Sequence, residues 1–156
     1  MERARCQQSR RWWIWGSVFG GVGVLLGAFG AHGLKSSPTV IADPGLLDTW
    51  ETAARYQLVH SLALLAVAAH PRSPRWSGRL FVLGTCVFSG SLYLLVLTGV
   101  RWLGAITPLG GLALCAGWGV LAVASWRMPG ARPEGSRGST AAELDAVEDE
   151  GRSPEA

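Results

Sequence analysis

Long uncharged stretches alternate with short charged ones along the chain. The first runs from Trp12 to Ala31, WWIWGSVFGGVGVLLGAFGA, behind Arg10 and Arg11. Its 20 residues make about 30 Å of helix, enough to cross the hydrocarbon core of a bilayer. Leu80 to Val100 is a second stretch, 21 residues without a charge. Arg101 interrupts, and Trp102 to Trp126 is a third, with Pro108 near its start, where it caps or kinks the helix.

The segment between the first two stretches is mixed. Asp43-Pro44 reads as an N-cap followed by proline at the first helical position, opening a helix to about Ala69. Its first half carries Asp48, Glu51 and Arg55, with Glu51 and Arg55 spaced as a favourable helical pair. Its second half, Leu58 to Ala69, is apolar except for His60 and Ser61, and is too short to span alone. This span must therefore include part of the charged turn. Gly33 to Leu47 and His70 to Arg79 read as loops.

The pattern as a whole predicts an all-α chain, an integral membrane four-helix bundle. The spans fall at about 12–31, 50–69, 80–100 and 102–126, within a domain of 12–127. Residues 1–11 form a basic N-terminal segment. Residues 128–156 are rich in Gly, Pro, Ser and acidic side chains and lack aromatics, so they read as a disordered tail. Ala28 and Gly30 resemble a signal cleavage site, but the apolar run is longer than a signal sequence needs and more spans follow.

Charge sets an expected orientation. Alternating spans place the N-terminus, the middle loop and the tail on one side, with eleven of the 14 basic residues; Lys35, Arg55 and Arg101 fall on the other. The positive-inside rule then puts both termini in the cytoplasm. Trp12, Trp13, Trp76, Trp102 and Trp126 lie near span ends, where indoles anchor. No basic stripe with interleaved aromatics argues for nucleic acid. The partners expected are the lipid bilayer and either further copies of the chain or another membrane protein.

Gly16, Gly20, Gly23 and Gly27 share one face of the first span, and Gly111 and Gly119 with Cys115 share one face of the last. Such stripes let helix backbones approach closely. Cys86 and Cys115 read as small buried side chains, with Cys6 near the start; no spacing suggests a disulfide framework or a metal site. Six polar residues lie at membrane depth: His32, Tyr56, Gln57, His60, Tyr93 and Thr107. They fall at similar height on four helices and are expected to line one internal pocket that binds a small ligand or handles a proton. His32 and His60 are also the pair that would ligate haem, though no attachment motif accompanies them. No nucleophile stands beside a base, so no catalytic residue and no cofactor is assigned, and the chain is expected not to be an enzyme.

The strings GAFGAHGL (Gly27 to Leu34), RYQLVHSLALL (Arg55 to Leu65), FSGSLYLL (Phe88 to Leu95) and ITPLGGLALCAGW (Ile106 to Trp118) occur in order. Together they resemble the small membrane family called domain of unknown function 423, which includes bacterial inner-membrane proteins and the eukaryotic transmembrane protein 256. The resemblance covers about residues 12 to 127 and implies a multi-span membrane protein; it brings no reaction or substrate. The expected role is a structural or accessory subunit in the bacterial inner or plasma membrane, the alternative a small-solute or proton transporter acting as a homo-oligomer.

Overall fold

A computed structural model describes residues 2–128 of the chain. Five helices follow one another: α1 (Glu2–His32), α2 (Pro38–Ala42), α3 (Gly45–Ala69), α4 (Arg75–Thr98) and α5 (Thr107–Trp126). Single 3-10 turns occupy Leu34–Ser36 and Arg101–Ala105, and no strand occurs among the described residues. Cys6–His32, Arg75–Thr98 and Arg101–Trp126 are long and apolar enough to cross a membrane. At 25 residues α3 is as long as its neighbours, but Asp48, Glu51 and Arg55 are exposed in its first half.

Several local expectations need correction. The basic residues before Trp12 are helical: they form the first turns of α1, which runs unbroken for 31 residues. The segment 33–47 is more than a loop, because Pro38 starts the short helix α2 and Leu34 and Val40 are buried beneath it. Pro108 caps α5 rather than kinking it, sitting in the first turn where its missing N–H costs nothing. α4 stops at Gly99, whose φ of 72° lies in the left-handed region that glycine enters freely. Residues 129–156, the expected tail, lie outside the described residues.

α3 and α4 form the central pair, antiparallel, with α1 on the flank of α3 and α5 on the flank of α4. One end of the assembly carries Arg10, Arg11, Arg72, Arg75, Arg79 and Arg127, all exposed. The other carries α2, Lys35, and Asp43 with Arg101, whose charged groups approach to 3.5 Å in water-exposed positions. Two apolar clusters fill the interior. Trp12, Leu64, Val67, Phe81 and Leu114 pack toward the basic end. Leu34, Val40, Trp50 and Val96 pack at the opposite end.

The outer surface is apolar while the interior is partly polar. Val24, Leu25, Leu62, Leu83, Leu94, Leu109 and Leu112 are more than half exposed, whereas Gln57, His60, Ser61, Ser77, Thr85, Ser89 and Ser91 are buried. That inversion suits a hydrocarbon solvent and is unfavourable in water. Trp13, Trp76, Trp102 and Trp126 point outward as interfacial indoles do, and the Arg79 guanidinium lies 5.2 Å over the Trp76 ring. Trp12 departs from this pattern: it is buried against Gly78. Cys86 and Cys115 also depart from expectation, since both are exposed on outward faces.

Glycine sets the helix spacing. Gly16, Gly20, Gly23 and Gly27 face Leu65, Ser61, Leu58 and Ala54 of α3 in turn. On α5 the close face differs from the expected one. A Cβ at Gly110 would strike the Phe88 backbone, with Phe88 Cα only 2.8 Å away, and one at Gly117 would meet the Phe81 ring at 2.8 Å. Gly111 is in ordinary contact range of Phe88, and Gly119 faces open space. Leu114, between Gly110 and Gly117, is the knob that fills the gap over Gly84. Gly110→Ala should therefore lower unfolding stability in detergent by about 1–3 kcal/mol through overpacking against backbone that cannot yield. Gly119→Ala should be neutral; equal effects of the two, read from thermal unfolding, would place the α5 interface elsewhere.

Candidate functional site

The buried polar side chains concentrate on the inner faces of α3 and α4. Helical periodicity aligns Ala53, Gln57, His60 and Leu64 on the side of α3 that meets its neighbours. Gln57 stands at the centre. Its Nε2 donates to the Phe19 carbonyl of α1 at 2.9 Å, and its Oε1 accepts from the Tyr93 hydroxyl of α4 at 3.1 Å. One amide thus joins three helices. Tyr93 also packs its ring 4.5 Å from that of Trp50, whose indole N–H donates to the Leu26 carbonyl of α1 at 2.7 Å.

His60 occupies a separate aromatic nest nearer the basic end. Trp118 Nε1 donates to His60 Nε2 at 3.3 Å, and His60 Nδ1 lies 2.8 Å from the Tyr56 carbonyl. This pairing selects the neutral tautomer with its proton on Nδ1, donating to Tyr56. The Phe81 and Tyr56 rings flank the imidazole at 5.7 and 6.0 Å between centroids. Both ring nitrogens are engaged within the protein, so neither is free to ligate iron without breaking a bond.

The six polar residues singled out from the sequence therefore do not line one pocket. Gln57 and Tyr93 meet directly. His60 and Tyr56 form the neighbouring nest, but the Tyr56 side chain is 43% exposed and stacks on Phe88 at 4.5 Å. Thr107 joins Ser91 at 2.8 Å near the opposite end, tying α5 to α4. His32 ends α1 and is exposed. Sequence reasoning missed Trp50 and Ser77, and left Ser89, a polar residue in the middle of the third span, out of the candidate site. Ser89 donates to the Ala53 carbonyl and Ser77 to the Gly117 carbonyl, each at 2.9 Å. Their signal was a short hydroxyl beside small residues, indistinguishable in sequence from a serine bonded to its own helix.

Between α1 and α4, above Gln57, lies a groove of about 310 Å³. Val18, Val22 and Leu26 form one wall, and Thr85, Cys86 and Tyr93 the other. Thr85 is buried, and its hydroxyl has no hydrogen-bond partner. Among residues 6–128 no cluster of three His, Cys, Asp or Glu side chains occurs.

A family model described as "Protein of unknown function (DUF423)" matches residues 26–111. A UPF0382 membrane protein of Schizosaccharomyces pombe is 42% identical over 118 residues, 71% of this chain and 98% of the relative. The chain belongs to this family of membrane proteins. The UPF0382 membrane protein YwdK of Bacillus subtilis is 41% identical, over 72% of this chain and 93% of its own length. The UPF0382 inner membrane protein YgdD of Escherichia coli is 38% identical, over 77% and 92%. No solved structure matches the chain. The DUF423 match contains all six polar residues and the Gln57–Tyr93 pair, while Gly16, Gly20 and Gly23 precede it and Trp118 follows it.

The Gln57 bridge makes a quantitative prediction. Tyr93→Phe removes the donor and leaves Gln57 Oε1 unpartnered, which should cost about 1 kcal/mol of unfolding stability in bicelles. Tyr56→Phe, which removes an exposed hydroxyl, should cost nothing measurable. A Tyr93→Phe protein as stable as wild type would mean that the bridge does not hold α3 to α4.

Proposed function

We propose that this protein is a non-enzymatic accessory subunit of the inner or plasma membrane, crossing it four times with both termini in the cytoplasm. The observation that carries this reading is where the buried polar groups go. Gln57, Trp50, Ser77 and Ser89 each donate to a carbonyl of a neighbouring helix. Groups engaged in this way hold helices together and leave little polar surface for a substrate.

Four crossings are supported by the course of α3. It meets α1 from Leu65 opposite Gly16 to Trp50 opposite Gly30, so a membrane crossed by α1 along that length is crossed by α3 as well. Asp48, Glu51 and Arg55 then stand near the interface opposite the basic end. The concentration of arginine at the other end supports a cytoplasmic location for it. An apolar outer surface suits lipid, further copies of the chain or a membrane-embedded partner.

The groove above Gln57 favours one competing reading, a small-solute or proton path formed by several copies. Affinity purification from native membranes separates the two. The accessory role predicts a stoichiometric membrane partner and no solute or proton flux from liposomes holding the chain alone. Flux from the purified chain, without a partner, would establish the transport reading instead. Reporter fusions test the orientation: a fusion after Ser125 should be active in the cytoplasm and one near Ser37 outside it. A cytoplasmic Ser37 would remove the four-crossing arrangement.

A further inference from the structure

The basic end holds a pocket apart from the Gln57 and His60 contacts, with the Ser9 hydroxyl donating to the Ala68 carbonyl at 2.7 Å along its wall. It measures about 720 Å³ and lies between the first turns of α1 and the turn joining α3 to α4. Arg10 and Ser73 contribute polar walls, and Trp13, Ile14 and Pro71 apolar ones. The turn is tightly built: Ser73 N–H donates to the His70 carbonyl at 2.8 Å, and Arg72 N–H to His70 Nδ1 at 3.2 Å.

Ser73 is unusual in two independent ways. Its φ of 39° lies in the left-handed region, which non-glycine residues seldom occupy. Its side chain is 4% exposed, and its hydroxyl has no hydrogen-bond partner within the protein. A buried hydroxyl left unpaired is destabilising until some acceptor or donor reaches it. The acceptor that suits this place is anionic. Arg10 lines the pocket, and Arg72 and Arg75 flank Ser73 in sequence. Between residues 6 and 128 the acidic side chains are Asp43, Asp48 and Glu51, all toward the opposite end.

We propose that this pocket binds the phosphate of an anionic phospholipid, with Arg10 donating to its oxygens and the Ser73 hydroxyl joining it after a small shift of the strained turn uncovers it. The glycerol and the start of an acyl chain lie against Trp13 and Ile14. Two features select a lipid over a free phosphate ion. The pocket is several times the size an inorganic phosphate needs, and its apolar wall is exposed at the start of the uncharged run of α1. That is the depth at which headgroups meet a crossing helix, and basic pockets between helices there suit anionic headgroups. The proposal requires only that α1 crosses the membrane; it is independent of the accessory role and of which side the basic end faces.

Lipid retention by the purified full-length chain tests it, measured by native mass spectrometry from micelles holding equal phosphatidylglycerol and phosphatidylcholine. Phosphatidylglycerol should be retained preferentially. Arg10→Gln, at an exposed position that folding tolerates, should reduce retention about fivefold, and Ser73→Ala should reduce it without lowering the melting temperature. Arg101→Gln, at the other end, should leave it unchanged, and millimolar inorganic phosphate should not displace the lipid. Equal retention of the two lipids, or indifference to both pocket substitutions, overturns the proposal. Displacement by inorganic phosphate would assign the pocket to a soluble anion. Retention that appears only after deletion of residues 133–156 would assign it to the acidic C-terminal segment. Either result also overturns the lipid proposal.

Discussion

Helices in hydrocarbon gain nothing by hiding apolar side chains from one another, because lipid tails are as apolar as leucine. Association must come from backbones close enough for dispersion and for hydrogen bonds between helices. The α1–α3 contact meets that constraint along its whole length. Glycines at positions 16, 20, 23 and 27 clear the face of α1, and α3 lays Leu65, Ser61, Leu58 and Ala54 into the space. Only at that separation can the Gln57 amide reach the Phe19 carbonyl and the Trp50 indole reach the Leu26 carbonyl. Larger side chains on α1 would push both donors out of range and leave them unpaired in a medium without water.

The same arrangement recurs on the other side of the central pair. Gly110 and Gly117 of α5 admit Phe88 and Phe81 of α4, and Ser77 reaches the Gly117 carbonyl. α3 and α4 thus supply most of the donors, while α1 and α5 supply carbonyls and small residues. His60 and Trp118 add a direct tie between α3 and α5. This division suits the place of α3 in the bundle: its donors are shielded by neighbours on both sides.

Much of this was legible in the sequence, for identifiable reasons. Uncharged runs bounded by arginine located the long helices, since a charge inside hydrocarbon is costly enough to be rare. The glycine face of α1 followed from its period. What was not legible depended on rotation of the helices and on partners distant in sequence. The α5 stripe was displaced because Gly110 and Gly111 are adjacent, and period alone cannot say which faces Phe88. Cys86 and Cys115 were expected inside but point outward, since an apolar thiol is at home against lipid as well as protein. The six polar residues differ in both height and direction, so they divided among separate contacts. Ser73 carried no signal at all: its interest arises from a backbone angle and an unpaired hydroxyl.

The fold rests on the glycine face of α1 lying against α3, and cross-linking in native membranes tests that most directly. A Cβ at Gly20 would stand 3.8 Å from Ser61 Cβ, and one at Gly27 would stand 3.9 Å from Ala54 Cβ. Both separations fall within the range of about 3.5–4.5 Å that a disulfide spans. In a chain whose Cys6, Cys86 and Cys115 are replaced by serine, the pairs Gly20→Cys with Ser61→Cys and Gly27→Cys with Ala54→Cys should both close within one molecule on mild oxidation. Gly21→Cys with Ser61→Cys, with Gly21 turned to open space, should not. Failure of both pairs, or equal closure of the control, would contradict the packing on which the structure depends.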